Sequence, residues 1–158
     1  MDGTALDGIE AAYRGEIYGE ALYEAIAWAQ PDPERAWKWR VLAQLERETG
    51  AELAACLRRH GRAPRPAPED RTKGIVDAKI YAALPWQALM RRFAEELDAD
   101  IAEYSDLARR AGAAEAAVLA RLVEHERVTQ TFCRRECAGA GDTALAPVLA
   151  FVKQIPPR

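Results

Sequence analysis

Two segments of this chain carry one pattern, offset by 80 residues. Glu16 answers to Glu96, Glu20 to Asp100, Glu46 to Glu126 and Thr49 to Thr129. Their apolar neighbours keep the same offset: Tyr13 with Phe93, Ile17 with Leu97, Trp39 with Leu119 and Leu42 with Leu122. A duplication of this kind leaves few folds open. It predicts a helix pair used twice, with acidic side chains set into apolar stripes at equivalent places. Carboxylates on inward faces are costly unless a proton or a positive charge meets them.

Punctuation along the chain divides it into helices. The first predicted helix runs from about Thr4 to Gln30 and stops at Pro31-Asp32-Pro33. Asp32 can cap the second, with Pro33 at its first position, and that helix reaches about His60, with Gly61 as its stop. Three prolines, Pro64, Pro66 and Pro68, make residues 62–68 non-helical, since each fixes φ and removes a donor. A short amphipathic piece follows from Gly74 to Ala83; Pro85 opens the third long helix, which ends near Ala111-Gly112. The fourth covers about Ala113 to Ala138, and a short fifth is expected from Thr143 to Val152. Period-2 alternation is absent, so the fold class is all-α. The tight connections make two antiparallel pairs. The roughly 24 residues between the pairs, 61–84, are enough to travel the length of a bundle.

Composition bounds the rest. A length of 158 residues suits a single domain, and a net charge of -3 leaves no basic footprint for nucleic acid or a membrane surface. No apolar run approaches the roughly 18 residues of a spanning helix. The start, Met1-Asp2-Gly3-Thr4, lacks a signal-peptide core. Three cysteines do not make a disulfide framework, which points to a reducing, cytoplasmic setting.

Helical wheels place the acids. Leu42, Glu46, Thr49, Leu53 and Leu57 form one stripe, and Leu119, Leu122, Glu126, Thr129, Cys133 and Cys137 form its match, each with a glutamate inside. Asp100 falls within the stripe Leu89, Phe93, Leu97, Tyr104 and Leu107, with Glu96 at its edge. The first helix is apolar on two sides, Ile9, Tyr13 and Ile17 on one and Tyr18, Leu22 and Ile26 on another. The second side calls for cover by the tail helix or by another subunit, so a homodimer is expected. Either Glu16 or Glu20 can face inward. Residue counts from the turns set Glu16 level with Glu46, and Glu96 level with Glu126.

Gly15-Glu16 followed by Tyr23, and Leu45-Glu46-Arg47-Glu48-Thr49, resemble the metal-ligand helices of the ferritin-like superfamily, which includes rubrerythrins and bacterioferritins. The resemblance implies one ferritin-like four-helix domain with a single long crossover (repeat halves 8–60 and 88–138). It also implies a dinuclear site built from a carboxylate on each of two helices and Glu-x-x-His on the others. Thr49 and Thr129 stand where that pattern has histidine. His125 is about 100° round the helix from Glu126, and His60 is about 21 Å along the helix from Glu46, so neither replaces them. The remaining set is oxygen-only: Glu16, Glu46, Glu96 and Glu126, with Glu20 and Asp100 in reserve. Such a set suits iron or manganese, and the resemblance implies an oxygen- or peroxide-reactive centre. The alternative is a metal-less scaffold serving as a binding or dimerisation module.

Other signals weaken. Cys56-x-x-x-His60 and Cys133-x-x-x-Cys137 each pair soft ligands on a helical face. The antiparallel topology sets Cys56 and Cys133 toward opposite ends, so they read as small buried apolar residues. The tryptophans Trp28, Trp37, Trp39 and Trp86 fall near helix ends and are expected to pack there. No phosphate loop or nucleophile elbow is present.

Overall fold

The protein is described here by a computed structural model covering residues 3–158. Met1 and Asp2, where the leader reading begins, lie outside the described residues. Those residues form six α-helices and no strand: α1 Gly3–Ala29, α2 Pro33–Arg59, α3 Pro68–Ala82, α4 Trp86–Arg110, α5 Ala116–Cys137 and α6 Ala146–Phe151. The all-α class holds. No helix among the described residues is long and apolar enough to cross a membrane.

Local chemistry sets the boundaries. The Asp32 carboxylate accepts from the backbone N–H of Glu34 (2.9 Å) and Arg35 (3.0 Å), satisfying two donors that an α-helix leaves free at its start. Gly61 closes α2 at φ 70° and Gly139 follows α5 at φ 80°, where a side chain would clash with its own backbone. Arg62 reaches back to Asp7 and Glu10, both at 2.6 Å, so the end of α2 lies beside the start of α1. At the other pair, Lys38 meets Glu136 and His60 meets Glu115; α2 and α5 therefore run antiparallel. Gly8 beside Leu107 and Tyr23 beside Phe93 set α1 against α4 in the same sense.

The crossover differs from the expectation. Its helix is α3, which begins at Pro68 rather than Gly74, with Pro68 in the first turn, where its missing N–H costs nothing. α3 runs parallel to α1 and packs tightly on it. A Cβ at Gly74 would lie 2.5 Å from the Tyr18 carbonyl oxygen, so only glycine permits this approach. Ala78 and Tyr81 are buried on the same face, and Tyr18 Oη donates to Asp77 at 2.9 Å. The second apolar side of α1 is thus covered by α3. The tail helix and a second subunit, to which that cover was assigned, are not needed for it. α6 instead lies along the seam of α2 and α5, held by Lys153 N–H to Glu48 (2.8 Å) and by Arg121 over Phe151.

Two apolar clusters fill the interior. One holds Tyr23, Trp39, Met90, Phe93 and Phe132; the other holds Ile9, Leu53, Leu57, Leu119 and Leu122. Each fully buried side chain of this size contributes about 1.5–3 kcal/mol. Cys133 belongs to the first cluster and Cys56 to the second, so the two thiols do sit apart. Trp39 is in the core rather than at an end, and Trp28, at 94% exposed, packs against nothing. Lys38 is buried with Glu136; its Nζ also donates to the Gly141 carbonyl (2.8 Å), and Trp86 Nε1 donates to the second Glu136 oxygen (3.0 Å). Both carboxylate oxygens of Glu136 and two of the Lys38 donors are thus hydrogen-bonded, which makes the buried pair tolerable.

Candidate functional site

Between the two apolar clusters lies a polar layer. Glu16, Glu46, Thr49, His125, Glu126 and Thr129 are all buried there. Glycines on the facing helices make room for it. A Cβ at Gly19 would fall inside the Glu46 carboxylate, and one at Gly50 would lie 3.2 Å from Glu16 Cβ. Each acid on α1 and α2 thus enters a notch left by a glycine on the other helix.

His125 is the centre of the layer. Its Nε2 is 3.0 Å from Glu46 Oε1, and its Nδ1 is 2.9 Å from Thr49 Oγ1 and 3.3 Å from Glu16 Oε2. The Thr129 hydroxyl donates to the His125 carbonyl at 3.0 Å. Donor atoms of Glu16, His125 and Glu126 lie within 4.8 Å of one another. Glu16 Oε2 is buried and makes no hydrogen bond.

Electrostatics follow from the burial. Desolvation first, then Glu46 and Glu126, pushes the Glu16 carboxyl well above its ordinary range. Glu126 is pushed up to about 8 by burial, against the pull of His125. Burial alone would lower the His125 pKa, but Glu46 and Glu126 outweigh it and hold it above 6.5. Asp100 is raised by burial and by Glu103, Glu46 and Glu96. Each of these shifts favours the protonated carboxyl over the charged one.

A cavity of about 230 Å³ opens from this layer between α1, α3 and α4. Glu16, Glu46 and Glu126 form its inner wall, with Tyr81 buried beside them, and Asp100 and Tyr18 stand nearer solvent. The six expected acids therefore separate. Glu16, Glu46 and Glu126 converge, and Asp100 borders them. Glu96 lines the mouth but is turned outward, accepting from Tyr81 Oη at 2.9 Å and from Arg92 Nε at 2.8 Å. Glu20 is outside altogether, 2.9 Å from Arg47. The offset of 80 pairs Glu16 with Glu96, yet α3 supplies Tyr81 only at the second position, and that hydroxyl holds Glu96 away.

Sequence reasoning set His125 aside, and it is the residue that completes the layer. Two signals pointed to it. The same offset pairs it with Leu45, a fully buried residue. It also falls at helical spacing with Val118, Leu122, Thr129 and Phe132, all buried. The structure brings one imidazole in among the carboxylates of Glu16, Glu46 and Glu126. Thr49 and Thr129 do occupy the layer, bound to His125 by side chain and by backbone.

No family model matches this chain, and neither a curated protein nor a solved structure shows significant similarity to it.

Proposed function

We propose that this chain is a ferritin-like four-helix metalloprotein, built on an internal repeat, whose polar layer holds iron or manganese as a dinuclear centre. The observation that carries the reading is Glu16 Oε2, a buried carboxylate oxygen with no hydrogen bond, aimed at the donors of His125 and Glu126. Three ionised carboxylates and one imidazolium sum to minus two, a charge that the interior cannot hold without cations or protons. Hard oxygen donors with a single imidazole suit manganese or iron better than copper. Glu16, Glu46, Glu126 and His125 would hold the first ion, and Asp100 would share the second with the inner glutamates. When bound, such ions supply one-electron chemistry toward oxygen or peroxide. The chain itself supplies a buried layer for the inner acids and steers His125 through Thr49.

One observation favours a second reading, a metal-less scaffold. Both ring nitrogens of His125 already face protein oxygens at hydrogen-bond distance, so protons can satisfy the layer by themselves. Substitutions at Glu46 separate the two. Under the metal reading, Glu46→Ala keeps the helical fold but lowers metal content and metal-dependent thermal stabilisation together, since ligand bound to the native state raises its stability. A Glu46→Leu variant that melts above the parent in excess manganese or iron would overturn the metal reading.

A further inference from the structure

The outer side of α3 and the end of α1 carry apolar side chains that no other described residue covers. Trp28 projects there at 94% exposure and borders one groove with Ile75 (48% exposed). On α3, Gly74, Ala78 and Tyr81 are buried, while Ile75, Val76 and Ile80 are exposed between its charged residues. Next to Trp28 lies a groove of about 450 Å³, walled by Ala21, Ala25, Ile75, Ala78 and Ala82, with Lys79 at its edge. A projecting indole and an alanine-lined groove on one face are complementary to each other. They cannot meet within one molecule, because Trp28 itself borders the groove.

We propose that the occupant of this groove is Trp28 of a second copy, in a two-fold homodimer formed across α1 and α3. A two-fold axis makes every contact twice, so a face that carries both a knob and its hole closes on itself. Charge agrees with this occupant. Glu24, the one carboxylate in the groove, is already paired with Arg47 (2.6 Å) and Arg71 (3.2 Å). Lys79 has no ion-pair partner among the described residues and stands where it can lie over an incoming indole face. Area agrees as well. An indole buries about 200 Å² of its own and covers a similar area of wall. Made twice, that is about half of a standard interface of about 1,600 Å², and the half-exposed Ile75 of both copies adds to it. The inference is independent of whether metal binds. It does bear on the site, because α3 carries Tyr81 at the cavity mouth.

Sedimentation velocity on the full chain between about 1 and 100 µM tests it, with tryptophan emission recorded in parallel. A concentration-dependent dimer is expected, with a blue shift as Trp28 leaves water. Trp28→Ala and Ala82→Arg, both at exposed positions, should each abolish the dimer with unchanged circular dichroism. Mixing the two variants should restore partial association, because the Ala82→Arg copy keeps its knob and the Trp28→Ala copy keeps its groove. A parent that stays monomeric at 100 µM, a dimer that survives Trp28→Ala, or variants that fail to associate when mixed would each overturn the proposal. A monomer that instead binds anionic lipid vesicles through Trp28 would overturn it in favour of a membrane surface.

Discussion

Raising the pH from about 5.5 to 8.5 should destabilise the metal-free protein, and a divalent cation should reverse the effect. Glu126 has a folded pKa near 8 against an ordinary value of 4.5. A group whose pKa is raised by folding contributes its stability fully below the unfolded pKa and loses it as pH climbs through the folded one. Glu16 and His125 are raised too, so they act with the same sign. Asp32 and Asp77 are lowered and act oppositely, but below pH 4. At 1.36 kcal/mol per pKa unit, the part of the Glu126 shift crossed between pH 5.5 and 8.5 corresponds to roughly 3 kcal/mol. That is about 6–12 °C in Tm for a chain of this size. Thermal melts in EDTA across this range measure it directly. Adding manganese at pH 8.5 should recover most of the loss, while at pH 5.5 it should do little, because protons then occupy the acids. A metal-free Tm that is flat or rises between pH 5.5 and 8.5 would refute the assignment of Glu126 and Glu16 as proton-holding interior acids.

Two further substitutions probe the packing around the layer. Gly19→Ala drives a methyl group into the Glu46 carboxylate; metal affinity, read by isothermal titration, should fall about 10–100-fold with helicity unchanged. Lys38→Met leaves Glu136 buried with only the Trp86 N–H as partner, and urea unfolding should show a loss of about 3–5 kcal/mol, with Lys38→Met combined with Glu136→Leu recovering much of it.

The sequence by itself determined the helices and the level of the polar layer. Proline and glycine act locally, so Asp32-Pro33, Gly61 and Pro85 could be placed without knowing any neighbour. Helical spacing likewise set Glu46 and Glu126 on inward stripes, because a stripe is a property of one helix. Tertiary structure decided what meets what. Whether Glu16 or Glu20 turned inward depended on Gly19 and Gly50 opening notches across the α1–α2 contact, while Arg47 drew Glu20 outward. Glu96 was lost from the layer because α3, hidden in the crossover, brought a tyrosine hydroxyl to it. Helical spacing with Val118, Leu122 and Phe132 marked His125 as an inward position, but its partners were decided only where α1, α2 and α5 met around it. A side chain about 100° from Glu126 is outside the narrowest stripe but inside a layer that three helices enclose. Periodicity reads one helix at a time, and a buried polar layer is made by several helices at once.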